Sequence, residues 1–176
     1  MSKVMSSRFE AGGGQKNLGR ASRILLAEDD AEMAALLVGE LQKAGYETVT
    51  CSDGLELLRR LKFSDDDHRD EGDFDLVISD IRMPHISGLD VLRAGSYGGE
   101  LPPVILITAF GDEWTHGKAR YLGAIDVFDK PFDIGTFINR PSVRAALGCV
   151  RAYRRSTSAP SGSEVTAAVA AVDRPL

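Results

Sequence analysis

Carboxylates, a hydroxyl and an amine stand at the ends of short apolar segments that are widely spaced along this sequence. The residues Glu-Asp-Asp at 28–30 follow one apolar run, and Asp80 ends a second. Thr108 ends a third run, and Lys130 follows a fourth. A segment that enters a protein core has no packing need for a terminal charge, so these residues are candidates for chemistry.

The sequence between these residues predicts the elements that would position them. Apolar, strand-like segments alternate with segments whose apolar residues repeat at helical spacing, in five successive steps from Arg23 onward. Strands that are continuously apolar are typical of a parallel sheet covered by helices on both faces. We therefore expect a doubly wound α/β domain with a five-stranded parallel sheet, in which the carboxyl ends of the strands share one edge.

Convergence at one edge would place Glu28, Asp29 and Asp80 beside Thr108 and Lys130. Two carboxylates about 4 Å apart repel by roughly 4 kcal/mol at an effective dielectric near 20, so such a cluster needs a cation. Mg²⁺ prefers a few carboxylates together with water and phosphate oxygens, and Mn²⁺ is the alternative ion. Asp80 would supply an oxygen nucleophile, and Thr108 with Lys130 would bind phosphoryl oxygens. These residues together predict phosphoryl transfer, although each one alone has a structural explanation.

Four motifs occur in an order that resembles a known family. The segments "ILLAEDD", "VISDIRMPHISG", "VILITA" and "VFDKPF" are similar to the successive motifs of bacterial response-regulator receiver domains, across residues 23 to about 140. The resemblance implies that Asp80 is the phosphoacceptor, that Asp29 is a direct Mg²⁺ ligand and that Glu28 acts on the metal largely through water. It also implies that the Arg82 carbonyl oxygen is a metal ligand.

The same resemblance implies the phosphoryl contacts, the strand order and the partners. Thr108, Lys130 and the backbone N–H of Ala109 would hold the phosphoryl oxygens, and the strand order would be 2-1-3-4-5, as in flavodoxin-like folds. The partners implied are a sensor histidine kinase or phosphotransfer protein, which supplies the phosphoryl group, and an output protein of unknown identity. The chain would catalyse its own phosphorylation and dephosphorylation without being a conventional enzyme.

Departures from the family pattern keep an alternative open. The family usually has Tyr or Phe three residues before the lysine, where its ring follows the threonine, and here that residue is Val127. Its neighbour Phe128 is expected in the core, because adjacent strand residues face opposite sides. The acidic segment 63–73 is longer than in compact members and is interpreted as a solvated loop, not a metal site. The alternative is a phosphorylation-independent interaction module with a vestigial site.

A third hypothesis is a phosphatase similar to the haloacid-dehalogenase-like hydrolases, which also use an aspartyl nucleophile. Those enzymes require a second Asp two residues after the nucleophile. Arg82 occupies that position in this sequence, so the acid–base partner is absent and the hypothesis ranks last.

Composition and charge exclude other classes. The chain has 176 residues, of which 43% are apolar and 27% charged, as expected for one globular domain. A net charge of −5 opposes direct binding to nucleic acid. No apolar run is long enough for a membrane span or a secretory signal, and the two cysteines form no paired motif. A cytoplasmic protein is expected.

The predicted boundaries are a flexible leader over 1–21, a receiver domain over 22–155 and a disordered tail over 156–176. Nothing in the sequence resembles an output domain, so a stand-alone receiver is expected. Pro141 should interrupt the last helix, which can restart with this proline in its first turn.

Five other residues receive structural interpretations. Asp30 is expected to cap a helix, and Gly88 to relieve backbone strain where the third helix starts. Trp114 and Tyr121 are expected to pack against the core from the fourth helix, and His85 to lie at the surface.

Overall fold

The computed structural model describes residues 21–62, 74–98 and 101–153. The acidic loop and the two predicted terminal segments, apart from Ala21, lie outside the described residues. The predicted domain boundaries therefore stay predictions.

The described residues form five strands and six helices; one helix follows each of the first four strands, and two helices follow the fifth. The strands are β1 (Arg23–Ala27), β2 (Glu47–Cys51), β3 (Leu76–Asp80), β4 (Val104–Thr108) and β5 (Asp126–Asp129). The helices are α1 (Ala31–Lys43), α2 (Gly54–Lys62), α3 (Gly88–Gly98), α4 (Glu113–Tyr121), α5 (Ile134–Asn139) and α6 (Pro141–Tyr153). No helix among the described residues is both long and apolar enough to cross a lipid bilayer.

All five strands belong to one parallel sheet with the order β2-β1-β3-β4-β5. This arrangement confirms the doubly wound fold and the strand order that the resemblance implied. The two central strands β3 and β4 are buried along their whole length, because helices cover both faces of the sheet. Their continuous apolar sequence is the consequence of this double coverage.

Alternate strand residues build two cores, one on each face of the sheet. Leu25, Val77 and Leu106 face the helices α2, α3 and α4, whereas Leu26 and Ile78 face the helices α1, α5 and α6. Residues two positions apart on a strand point to the same side, so this division follows from the strand period. The two cores hold the carboxyl ends of the strands at a fixed edge.

Aspartate caps start four of the helices close to that edge, and in α2 the cap is Asp53. The Asp30 carboxylate accepts hydrogen bonds from the N–H groups of Glu32 and Met33, which confirms its predicted capping role in α1. Asp112 and Asp133 cap α4 and α5 in the same way. Because each cap ends a short connection from a strand, the loops beside the site have little freedom.

The last helical region restarts at Pro141, as predicted. α5 ends at Asn139 and α6 begins at the proline. The Asp126 carboxylate of β5 accepts hydrogen bonds from the Ser142 hydroxyl at 2.6 Å and from the Arg140 guanidinium at 3.3 Å. Strand β5 is thereby tied to the start of α6, whose buried residues are Ser142, Val143, Ala146 and Leu147.

The packing prediction for Trp114 and Tyr121 is wrong. Their exposed fractions are 66% and 89%, and α4 contacts the core through the small, fully buried Ala119 instead. Aromatic residues seven positions apart share one helix face, but their spacing does not say whether that face points to the core or to solvent. His85 is exposed, as expected.

The strain interpretation of Gly88 is also wrong. Positive φ angles occur at Gly45, Gly123 and His85, and not at Gly88. A Cβ atom at position 88 would lie 2.6 Å from the carbonyl oxygen of Asp80. Glycine is required here because α3 starts directly against the backbone of the candidate nucleophile.

We predict that Gly88→Ala destabilises the protein by about 1–3 kcal/mol, because the new methyl group must displace backbone. The matched control is Gly39→Ala in α1, where a Cβ atom meets nothing within 4 Å. That variant should gain about 0.5–1 kcal/mol from helix propensity. Urea unfolding of both variants measures the two shifts. Equal shifts in the two variants would contradict the close approach at position 88.

Candidate functional site

The carboxyl ends of β1, β3 and β4 and the residue after β5 meet at one edge of the sheet. The Lys130 ammonium lies 2.9 and 2.7 Å from the two carboxylate oxygens of Glu28 and 2.5 Å from Asp80 Oδ2. Thr108, the last residue of β4, accepts a backbone hydrogen bond from the Lys130 N–H at 2.7 Å. The convergence predicted from the strand ends is therefore present.

Because the carboxylates of this cluster are buried, the fold would lose stability without the Lys130 ammonium. Glu28 and Asp80 are only 3% and 5% exposed, and Thr108 is 1% exposed. Buried carboxylates must be paired or hydrogen-bonded, because an unpaired buried charge costs several kcal/mol. Lys130 provides the pairing for both. The protein thus supplies one positive charge to the cluster itself.

The three acidic residues also form a candidate metal centre. Carboxylate oxygens of Glu28, Asp29 and Asp80 all lie within 4.8 Å of one another, and Asp29 is exposed. Three carboxylates against one ammonium leave an excess of negative charge. Oxygen ligands with residual negative charge and access to solvent suit a hard divalent cation.

Burial and hydrogen bonding both shift the pKa values of Glu28 and Lys130. Burial raises the pKa of Glu28; the hydrogen bond from Lys130 lowers it by less, and the charge of Asp80 raises it further. Burial opposes the charge on Lys130, but its hydrogen bonds to Asp80 and Glu28 outweigh this, so the pKa of Lys130 is raised. The ammonium is thus held in its charged form beside the two carboxylates.

Asp80 is oriented from two sides. Its Oδ1 accepts a hydrogen bond from the Arg82 N–H at 2.7 Å, while Oδ2 faces Lys130. The Ser79 hydroxyl donates to the carbonyl oxygen of Asp80 at 2.9 Å. A carboxylate held in this way has little rotational freedom, which suits a nucleophile that must approach from one direction.

Thr108 directly precedes the loop between β4 and α4, here called the β4–α4 loop, which comprises residues 109–112. Its hydroxyl oxygen accepts a hydrogen bond from the Phe110 N–H at 3.1 Å, so the hydroxyl hydrogen is available to another acceptor. Ala109 lies between these two residues and is exposed. The predicted roles of the Ala109 N–H and the Arg82 carbonyl oxygen stay predictions.

Two contacts near the site had no signal in the sequence. The Arg82 guanidinium lies 4.3 Å from the centre of the exposed Phe110 ring, which joins the loop after β3 to the β4–α4 loop. His116 Nε2 lies 2.9 Å from Asp129 Oδ1, which joins α4 to the end of β5. Each pair depends on how separate loops meet in space, and the residue types alone do not reveal it.

Val127 is buried in the core on the α4 side of the sheet and carries no ring. Phe128 packs in the opposite core, with its ring centre 4.7 Å from that of Phe137. The interpretation of Phe128 as a core residue is confirmed, because it faces away from Val127 and α4.

We predict that Lys130→Met destabilises the protein by about 3 kcal/mol near neutral pH, because it leaves Glu28 buried beside Asp80 without a cation. A carboxyl group with a raised pKa contributes stability that is present below its ordinary value, 4.5 for Glu28, and is lost as the pH rises through the folded pKa. Loss of Lys130 raises that pKa further. The deficit should therefore shrink as the pH falls toward 5, as urea unfolding at several pH values would show.

The control for this experiment is Lys43→Met, which removes an exposed lysine paired with Glu40 on α1. It should lower the free energy of unfolding by less than about 1 kcal/mol at every pH, since exposed ion pairs contribute little to stability. A Lys130→Met deficit that stays constant between about pH 7.5 and pH 5 would contradict the assignment of Lys130 as the partner of the buried carboxylates.

Curated proteins of similar sequence are bacterial regulators. The chain is 33% identical over 126 residues to the transcriptional regulatory protein CpxR of Escherichia coli, covering 72% of this chain and 49% of that protein. It is 36% identical over 124 residues to an uncharacterised transcriptional regulatory protein of Bacillus subtilis, covering 70% of this chain and 50% of that protein. The chain thus spans about half the length of these relatives.

Solved structures with the same fold are receiver domains. The receiver domain of Francisella response regulator 1452 matches with a TM-score of 0.60 and 24% identity, over 72% of this chain and 97% of that chain. A CheY-like receiver domain protein from Methanospirillum hungatei matches with a TM-score of 0.62 and 20% identity, over 73% of this chain and 95% of that chain. The sequence model of the response regulator receiver domain matches residues 24–141. The chain therefore belongs to the response regulator receiver domain family, whose members are signalling domains of two-component systems.

Proposed function

We propose that the chain is a phosphorylation switch in which Asp80 accepts a phosphoryl group from a phosphohistidine. The observation that carries this proposal is the Lys130 ammonium, which contacts both Asp80 and Glu28 in a buried cluster beside Thr108. The donor would be a sensor histidine kinase or a phosphotransfer protein in the cytoplasm. An output protein would then recognise the altered surface.

The carboxylate cluster fits Mg²⁺, with Mn²⁺ as a substitute. Glu28, Asp29 and Asp80, together with the carbonyl oxygen of Arg82, would hold the ion, and the 4.8 Å spread of the carboxylate oxygens supports this set. When bound, the ion would offset negative charge on the phosphoryl oxygens. Glu28 is the most buried of the three carboxylates and already pairs with Lys130, which agrees with an indirect role through water.

The remaining residues have separable roles in the transfer. A carboxylate oxygen of Asp80 would bond to phosphorus as the bond from phosphorus to the donor histidine nitrogen breaks, and the leaving imidazole keeps the electron pair of that bond. The Lys130 ammonium would move from Asp80 Oδ2 to a phosphoryl oxygen. The Thr108 hydroxyl and the Ala109 N–H would donate to the other phosphoryl oxygens. Thr108 ends β4 and Lys130 directly follows β5, so the sheet positions the backbone of both donors.

One observation favours a second candidate function. Val127 replaces the ring that would follow Thr108, and its side chain is buried among apolar neighbours. A phosphorylation-independent interaction module with a vestigial site would also tolerate this residue. Direct binding to nucleic acid is not proposed, because the chain carries a net charge of −5.

We predict that the protein gains one phosphoryl group on Asp80 when it is incubated with Mg²⁺ and a small phosphodonor such as phosphoramidate. Asp80→Asn should gain none, because an amide is not a nucleophile at this position. The control Asp90→Asn, which changes an exposed carboxylate on α3, should react like wild type. Intact mass spectrometry measures the gain, and peptide mapping locates it. An unchanged wild-type mass with an active donor would favour the vestigial module.

We predict that Asp29→Asn raises the melting temperature in EDTA, by no more than about 2–4 °C, because it removes one repelling charge from an exposed position in the cluster. With Mg²⁺ the difference in melting temperature between the variant and wild type should become smaller or change sign. Wild type gains about 2.7 kcal/mol when the ion is present at a hundred times its dissociation constant, whereas the variant has lost a ligand. Thermal melts of both proteins in each condition measure the effect.

Asp30→Asn is the matched control for this melt. It removes a neighbouring exposed charge but keeps the cap of α1, since Asn and Asp cap helices equally well. Its response to Mg²⁺ should equal that of wild type. If Asp29→Asn retains the full Mg²⁺ response, Asp29 is not a metal ligand.

A further inference from the structure

The contact between His116 and Asp129 joins α4 to the end of β5 beside the candidate site. The His116 Nε2 atom lies 2.9 Å from Asp129 Oδ1, and the His116 side chain is only 20% exposed. Asp129 is the last residue of β5 and directly precedes Lys130. The contact therefore connects an exterior helix to the strand that delivers the phosphoryl-binding ammonium.

The β4–α4 loop passes directly beneath this contact. A Cβ atom at Gly111 would lie 1.6 Å from Asp129 Oδ1 and 2.5 Å from His116 Nε2. Such distances are far inside van der Waals contact, so a side chain at position 111 would force His116 and Asp129 to move. The loop, the helix and the strand thus meet at one point.

The contact closes a ring of interactions around the loop. Thr108 pairs with Asp129 in the sheet, and its carbonyl oxygen accepts the Lys130 N–H. From Thr108 the chain runs through residues 109–112 to α4, whose first turn is fixed by the bond from the Thr115 N–H to the Asp112 carboxylate at 2.7 Å. His116 then returns to Asp129. A loop of four residues anchored at both ends cannot shift without straining one of these bonds.

Asp129 also lies on the same face of β5 as Val127, because strand residues two positions apart point to the same side. The His116 contact is therefore on the α4 side of the strand, one pleat nearer to Lys130 than the buried valine. A valine has no polar atom and no ring with which to follow the loop. The polar contact beside it can follow the loop through a directional hydrogen bond.

We propose that His116 is a positioning residue. Its bond to Asp129 holds the β4–α4 loop so that the Thr108 hydroxyl and the Ala109 N–H point at the phosphoryl group, and it transmits movement of that loop to α4. This inference rests on the proposed phosphorylation of Asp80. The contact between His116 and Asp129 would couple the β4–α4 loop to α4, a role that Val127 cannot take because it has no ring.

The first test measures amide hydrogen exchange in the unphosphorylated full chain. His116→Ala should accelerate exchange in residues 109–116 by about five- to tenfold, the effect of one lost hydrogen bond. His116→Gln should restore slow exchange, because the Gln side-chain amide can place a donor close to the position of His Nε2. The control Arg120→Ala changes an exposed residue in the last turn of the same helix and should leave the segment unchanged.

The second test measures phosphorylation and the response of α4 together. Trp114 is the single tryptophan of the chain and lies exposed on α4, with the Lys118 ammonium 4.5 Å from its ring centre. Its emission therefore reports on the helix. With Mg²⁺ and phosphoramidate, His116→Ala should be phosphorylated several times more slowly than wild type, with a smaller emission change per phosphoryl group. His116→Gln should recover both.

The outcomes separate this inference from the proposed function. If wild type is phosphorylated and His116→Ala matches it in exchange, rate and emission change, the positioning role is overturned. If His116→Gln behaves like His116→Ala, the hydrogen bond is not the cause and the inference also fails. If wild type takes up no phosphoryl group, the proposed function fails, and exchange in residues 109–116 still decides whether His116 holds the loop.

Discussion

Two carboxylates buried at neighbouring strand ends, Glu28 and Asp80, are compatible with a folded sheet because one ammonium lies between them. Strand order explains why that ammonium belongs to a lysine. β1 and β3 are neighbours, but β5 lies two strands from β3, a separation of about 10 Å between backbones. A long side chain is needed to cross the end of β4, where Thr108 occupies little space. The strand order therefore requires a long cationic side chain after β5 and a small residue at the end of β4.

The same interaction ties stability to function. In the unphosphorylated protein Lys130 is committed to two carboxylates, and its hydrogen bonds to them raise its pKa against the opposing effect of burial. In the proposed transfer, the ammonium would leave Asp80 Oδ2 for an oxygen of the phosphoryl group. The resting contact thus keeps the cluster folded while the excess negative charge keeps the metal position attractive to a divalent cation.

Features that depend on local sequence were predicted correctly, and so was the convergence of the strand ends, which follows from the parallel-sheet pattern. Individual side-chain contacts between distant segments were not predicted. The buried strands, the Asp30 cap and the restart at Pro141 follow from apolar runs, capping chemistry and proline geometry, each within a few residues. The orientation of Trp114 and Tyr121 depends on which side of α4 faces the sheet. The side of α4 that faces the sheet carries Ala119, which is fully buried. Gly88 was singled out for the wrong reason, because the atom it must avoid belongs to another segment.

Because Val127 has no ring, a structural change at Asp80 must reach α4 through other residues. On the face of β5 that carries Val127, the next residue toward the site is Asp129, and the α4 side chain that meets it is His116. A packed ring follows a moving loop gradually, since dispersion contacts weaken smoothly with distance. A hydrogen bond weakens steeply once its geometry is lost, so a latch made of His116 and Asp129 responds more abruptly to the same displacement. The loop that this contact restrains carries the proposed Ala109 donor and directly follows Thr108. One bond, between His116 and Asp129, would then both position the donors and transmit their movement to α4. Neither effect requires an aromatic residue in the core.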